Sequence, residues 1–483
     1  MRKNYWLLFI LLSISAFSEA QIDEYERFKQ QVQGNYEGFK QQAEHSYSDF
    51  MRQAWERYEQ FKMDPVPQEA PKPIVAPVAT PQPIPQRPDN EPLGSLKPKD
   101  SPLIHNVPSA DPQPVVKPLP DEPASLLELH VECFGVPCTL SAEPKIFTRP
   151  KGYTTHQIAD YWDSMEATPN DAFWFSVTKT VTDFGLNDWG LYRLLESAAL
   201  RQGFSQSDAN LFCFYMLRSH GYDVKIALED DNPALLMCFD CTIYRLTYIE
   251  KEGRKYHVVT QRGASGLFMP NDWGDKTALK PMSLKLTTPL NIGDKYLTRQ
   301  LVFANDGMKV EVPYNPAHQR FYNDMPMSDI ASHLFASMPV KTENALRKAF
   351  EERVKKMSKV ELVSDMLHFV QKSFDYQTDE QQFGEEKYFY PEELFAYPYC
   401  DCEDRSALFI WLVLHFTDYD AVGLYYPGHE AAAVSFGDDI TQGDKVTFKG
   451  KNYLICDPTY MGASIGQCMP QFKKVTPEVM PRP

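Results

Sequence analysis

Between residues 22 and 62 the aromatic residues return every eleven positions. Tyr25, Tyr36, Tyr47 and Tyr58 form one series, Phe28, Phe39, Phe50 and Phe61 a second, and Val32, Ala43 and Ala54 keep the same step. Eleven residues are close to three helical turns, so the series share one stripe of a straight or slightly right-handed helix. A stripe of eight aromatic rings needs cover, and self-association as a coiled coil or docking on a partner is the expected use of residues 21–62. The pattern then stops. Of the 38 prolines, 18 fall between residues 63 and 123. With no periodic apolar positions to build a core, that stretch favours polyproline II and reads as a disordered spacer.

A third regime begins near residue 124. Apolar residues alternate through Leu126–Leu140 and again in Met282–Val312, where Asn305-Asp306-Gly307 gives a hairpin signal. Helical spacing resumes at Thr342, with Ala345, Leu346, Phe350 and Val354 on one face. Ser358-Lys359-Val360-Glu361 is a capping-box sequence, and the helix it opens continues through Leu362, Met366, Phe369 and Val370. The fold class predicted by these patterns is α+β.

The chain of 483 residues carries 65 acidic and 49 basic side chains, a net charge of −16. Such an acidic balance argues against nucleic acid or an anionic membrane surface as the main partner, since phosphate binding depends on clustered Lys and Arg. Arg2 and Lys3 precede an apolar run from Tyr5 to Phe17, and Ser18-Glu19-Ala20 supplies the small residues of a cleavage site. Residues 1–20 therefore read as a signal peptide, with no lipoprotein cysteine and no membrane-spanning segment after cleavage, which predicts a secreted or periplasmic protein. All nine cysteines lie beyond it, where disulfides are permitted, and the odd count leaves at least one thiol free or paired between chains. Cys133/Cys138 and Cys238/Cys241 are spaced as bridges or zinc ligands, but no His pair accompanies them at finger spacing.

The chemistry-bearing segment is Cys400-Asp401-Cys402-Glu403-Asp404, running into the apolar stretch Ala407–Leu414. Asp401 is a good N-cap, so a helix is expected to begin at Cys402, whose thiol would then feel the positive end of the helix dipole. A nucleophilic thiol needs a proton acceptor, and the acceptor an orienting group. Pro427-Gly428-His429 launches the apolar run Ala431–Phe436, placing His429 at the start of a strand. Val446–Phe448 and Tyr453–Cys456 read as a hairpin, and Asp457-Pro458-Thr459 closes its second strand. Cys400 precedes the cap and is expected to pack or bridge. Gln382 and Tyr399 are candidates for a second oxyanion donor.

A Cys opening a buried helix, a Gly-His opening a strand and an Asp-Pro-Thr ending the next strand together resemble the transglutaminase-like superfamily of papain-type cysteine enzymes, including its bacterial peptidase branch. The resemblance covers roughly residues 340–470. It implies Cys402 as nucleophile, His429 as general base and acid, and Asp457 as orienter, with a protein or peptide substrate, an acyl-enzyme, and neither cofactor nor metal. One departure stands out: His429 is followed by Glu430-Ala431 where the family usually has Ala-Trp. The expected organisation is a signal peptide (1–20), a long amphipathic helix (21–62), a proline-rich linker (63–123), an α+β domain (124–268), a β-rich connecting region (269–335) and a transglutaminase-like catalytic domain (336–483). The rival expectation is a non-catalytic tethered binding or scaffold protein that keeps the same fold.

Residues 205–261 align with 402–458 at a constant offset of 197 without a gap, with ten identities in 57 positions. The identities fall on the expected helix, both strands and the hairpin. Ser205 stands for Cys402, Asn232 for His429 and Thr260 for Asp457. The first domain is therefore expected to be a degenerate copy of the catalytic core that has lost thiol, base and carboxylate.

Overall fold

A computed structural model describes residues 62–66, 72–80, 82, 126–229, 232–259, 279–303 and 306–482, all within the compact unit Lys62–Pro483. The signal peptide, the aromatic repeat up to Phe61, and Thr260 lie outside the described residues. The architecture is α+β. It contains two antiparallel five-stranded sheets, each packed on its own helices.

The first sheet combines β1 (Lys62–Met63), β4 (Val224–Glu229), β5 (Asn232–Cys238), β6 (Thr247–Lys251) and β7 (Arg254–Val258). Ahead of it come a hairpin of β2 (Leu127–Cys133) and β3 (Val136–Ala142) and four helices: α1 (Thr155–Glu166), α2 (Asp171–Phe184), α3 (Asp188–Arg201) and α4 (Gln206–Ser219). A second hairpin, β8 (Leu297–Val302) and β9 (Lys309–Tyr314), opens the other half. Helices α5 (Pro316–Asp324), α6 (Ala331–Leu334), α7 (Val340–Lys356) and α8 (Lys359–Ser373) follow, then the short pair β10 (Asp375–Tyr376) and β11 (Tyr399–Cys400) around α9 (Asp379–Gln382). Helix α10 (Cys402–Phe416) leads into the second sheet, built from β12 (Asp420–Tyr426), β13 (His429–Ser435), β14 (Lys445–Phe448), β15 (Lys451–Cys456) and β16 (Glu478–Met480).

The sheet orders are β1-β6-β7-β5-β4 and β14-β15-β13-β12-β16. Without the flanking strands β1 and β16 they are the same order, reached by the same succession of helix, strand pair and hairpin. Asn232–Cys238 and His429–Ser435 coincide at the offset of 197 at both ends. The side-chain alternation matches as well. Leu235 and Met237 face the first helical core while Ala234, Leu236 and Cys238 face the other side. Ala432 and Val434 pack with Trp411 on α10, whereas Ala431 and Ala433 join Leu424 and Tyr426 on the far face. Strands covered on both faces read as continuous apolar runs, as these do.

Three sequence expectations change. Lys62, read as the end of the long helix, is in β1, where it pairs with Tyr248 while Met63 pairs with Thr247. Part of the proline-rich spacer is docked: Val78 bridges Met461, and Ala79 is buried against Tyr460, Ala463 and Met469. The connecting region is divided between two cores, because Met282–Ile292 and α5 fill the first whereas the β8/β9 hairpin fills the second. Hydrogen bonds between the halves join them: Glu392, buried, accepts from the Asn315 N–H (3.2 Å), His318 Nδ1 (2.9 Å) and the Tyr322 hydroxyl (3.1 Å). Among the described residues no helix is long and apolar enough to cross a membrane, and all nine cysteines are free thiols.

Candidate functional site

Helix α10 starts at Cys402, and the reason is local. Asp401 stands at the N-cap, and Asp404, three residues on, accepts its backbone N–H through Oδ2 at 3.2 Å. The other carboxylate oxygen of Asp404 accepts the Phe389 N–H at 3.0 Å, which ties the helix start to the preceding loop. Every residue of α10 is buried, in keeping with its apolar sequence. Arg405, 1% exposed, donates to the carbonyls of Phe374 (2.8 Å) and Gln371 (3.3 Å) and to Cys400 Sγ (3.4 Å). Cys400 is thus packed as a structural thiol. Burial pushes its pKa up to about 12 even beside the guanidinium.

His429 and Asp457 are brought together across the second sheet. Nε2 of His429 lies 2.7 Å from Oδ2 of Asp457, and both residues are buried. Oδ1 of Asp457 accepts the N–H groups of Thr459 (2.9 Å) and Tyr460 (3.1 Å), so the Asp-Pro-Thr turn holds its own carboxylate. Gln371 on α8 fixes the rest of this loop. Its Nε2 donates to the carbonyls of Asp457 (3.1 Å), Tyr460 (3.0 Å) and Ala463 (3.1 Å), and its Oε1 accepts the Gly462 N–H (3.1 Å). Phe472 lies parallel to the imidazole, with ring centroids 5.3 Å apart.

The thiol has a different partner. Cys402 Sγ donates to Glu403 Oε2 at 3.1 Å, and no hydrogen bond joins it to the imidazole. Strand alternation explains this: His429 shares its parity with Ala431 and Ala433 on the far face, and Glu430 has the parity of Ala432 and Val434, which face α10. Burial pushes the Cys402 thiol well above its ordinary value; the cation of Lys72 pulls it down, whereas Asp401 and Glu430 push it further up.

Lys72, from the proline-rich stretch, sits beside the thiol. Its Nζ pairs with Glu403 Oε1 (2.6 Å), Asp401 Oδ2 (3.1 Å) and Glu386. Burial works against this charge, but Glu403 and Asp401 outweigh it and hold the ammonium well above the usual lysine value. Burial, then Asp401, raises Glu403 and Asp404 well above the carboxylate range. Asp379 is pushed up to about 10 by burial and by Asp401 and Asp404. Asp379, Asp401 and Glu403 can each aim a carboxylate oxygen to within 4.8 Å of the others, a spacing that suits a cation.

Of the sequence candidates, His429 and Asp457 pair directly, and Cys402 opens the helix packed on the same sheet. Gln382 Nε2 donates to the Tyr399 carbonyl at 3.4 Å, so these two candidates meet each other. Lys72, Asp379, Gln371 and Phe472 escaped sequence reasoning. Their only signal is long-range pairing, which no local pattern carries. In the first half Ser205 caps α4, its hydroxyl accepting the Asp208 N–H at 3.1 Å, and Asn232 Oδ1 accepts from the Ser207 hydroxyl at 3.2 Å. No family model, curated protein or solved structure matches this chain.

Proposed function

We propose that the chain is an exported thiol enzyme of the transglutaminase-like type, cleaving or transferring amide or peptide bonds through a Cys402 acyl-enzyme. The observation that carries this reading is the His429–Asp457 pair at 2.7 Å, with His429 opening β13 and Asp457 directly following the neighbouring strand β15, in the sheet that packs against the helix opened by Cys402. With Nε2–H donated to Asp457, the neutral imidazole keeps Nδ1 as its acceptor nitrogen. Because His429 opens β13 and faces away from α10, the Cys402 thiol must leave Glu403 and reach Nδ1 past the end of that strand; it then passes its proton to Nδ1, and the thiolate adds to the substrate carbonyl carbon. The imidazolium, steadied by Asp457, then gives that proton to the leaving amine, and a thioester remains. Water or a second amine, deprotonated by the imidazole, attacks the thioester, and the departing thiolate takes the proton back. Hydrolysis and transamidation share every one of these residues.

The test is labelling by a peptidyl vinyl sulfone near neutral pH. Label should sit on Cys402 and its rate should fall about a hundredfold or more in His429→Ala, the usual size of a general-base contribution. A rate indifferent to His429 overturns the reading. It would favour the second one, a tethered non-catalytic scaffold, for which the thiol's bond to Glu403 rather than to the imidazole is the supporting observation.

A further inference from the structure

Residues 72–80, with Gln82, run across the candidate site as a strap that bends at Ile74 and Val75. At one end Lys72 places its ammonium against the two residues that flank Cys402 in sequence, and against Glu386. At the other end the strap is held through its backbone. The Ala79 N–H donates to the Met461 carbonyl and the Met461 N–H to the Pro77 carbonyl, both at 2.7 Å. Ser464 Oγ donates to the Gln82 carbonyl (2.5 Å) and Gln467 Nε2 to the Thr80 carbonyl (3.1 Å). Ala79 is 7% exposed, in a cluster with Tyr460, Ala463 and Met469 against which Phe472 packs, and Phe472 is the ring lying over His429. The strap therefore reaches from the neighbours of the thiol to the cover of the imidazole.

The way it is held is that of a bound peptide. Main-chain hydrogen bonds to the loop 461–467 are indifferent to sequence, as in strand addition. Ile74, Val75 and Val78 point outward, 72%, 76% and 79% exposed. The side-chain selectivity lies in Lys72 and in the small residue Ala79. The carboxyl pocket is built for a cation. Asp401 is wholly buried, and its Oδ1, like Oδ1 of Asp379, has no hydrogen-bond partner, so removing the ammonium leaves buried acids facing one another.

Resting on the thiol-enzyme reading, we propose that Glu386, Asp401 and Glu403 form a lysine-type subsite of a peptide groove, and that residues 72–80 fill that groove as an internal, displaceable pseudosubstrate. A substrate would then present a primary alkylammonium side chain beside Cys402 and lay its backbone along residues 461–467.

The experiment measures alkylation of Cys402 by iodoacetamide in the full chain, which reports access whether or not the thiol is catalytic. Ala79→Asp displaces the strap without touching the carboxyl pocket, and should raise the rate at least about tenfold. Lys72→Ala should do the same, with circular dichroism showing that each variant stays folded. Adding the free peptide Pro-Lys-Pro-Ile-Val-Ala-Pro-Val-Ala-Thr-Pro-Gln to Ala79→Asp should restore protection, and the same peptide with norleucine for lysine should need at least about ten times the concentration. Unchanged alkylation in both folded variants overturns the strap, and equal protection by the two peptides overturns the lysine subsite. Failure of the enzyme reading is separate: alkylation would still rise on displacement, while vinyl sulfone labelling stayed independent of His429.

Discussion

Cys400 and Cys402 are both buried, yet their surroundings differ. Cys400 faces Arg405 and the Asp375 carbonyl, whereas Cys402 opens the helix among acids and one lysine. Cys402→Ser should abolish labelling by a thiol-directed electrophile and Cys400→Ser should leave it, as mass spectrometry of the labelled peptide would show. Asp379 gives a second prediction at this scale. Its ordinary pKa of 3.8 rises to about 10 in the folded chain, so between these values the folded state holds a proton that the unfolded state has lost. Its contribution to stability is greatest below about 4 and declines as pH rises toward 10. Thermal melts from pH 6 to 9 should show a falling Tm, and Asp379→Asn should flatten that fall; an identical slope contradicts the assignment. The helix start at Cys402 was legible because a cap and its reciprocal acid lie three residues apart. Lys72 was not, since 329 residues separate it from Asp401.

At the scale of elements, the local rules worked where both partners are close in sequence. Ser358 and Glu361 make the expected capping box, with the Glu361 N–H donating to Ser358 Oγ (3.3 Å) and the Ser358 N–H to Glu361 Oε2 (2.8 Å). The proline-rich stretch misled for a physical reason. Polyproline II has no internal hydrogen bonds, a property shared by a free spacer and by a segment whose backbone bonds a groove. Gln371 is the comparable omission in the second half: a polar residue within an apolar helix pattern that pins the loop carrying Asp457. Gln371→Ala would strand the carbonyls of Asp457 and Ala463 and the Gly462 N–H, while the Tyr460 carbonyl keeps the Ala463 N–H, at about 1–3 kcal/mol for each group left without a partner. A large drop in Tm is expected, together with slower vinyl sulfone labelling and no loss of iodoacetamide access to Cys402. Unchanged stability would mean that the loop holds itself.

For the whole molecule, the offset of 197 led to matching sheet orders and matching strand alternation, which residue identities alone could not establish. Inward and outward positions follow burial rather than residue identity, so segments of the same strand order share them even where few residues match. The two halves differ where chemistry would: Ser205 is spent as a helix cap, and Asn232 bonds Ser207. Residues 205–258 should superpose on 402–455 as helix, strand pair and hairpin; a different succession of strands would refute the duplication. Domain boundaries were the least legible feature, because Met282–Ile292 and the β8/β9 hairpin are adjacent in sequence but belong to different cores.

The central claim is that Cys402 and His429 act as one unit. The most direct measurement is the second-order rate of Cys402 labelling by a peptidyl vinyl sulfone between pH 5 and 9, with and without His429→Ala, in both the unaltered and the Ala79→Asp chains. The predicted result is a rate that drops about a hundredfold or more without His429 in whichever chain admits the reagent. A rate that simply climbs with pH through the ordinary thiol range, equal in the two proteins, would contradict it.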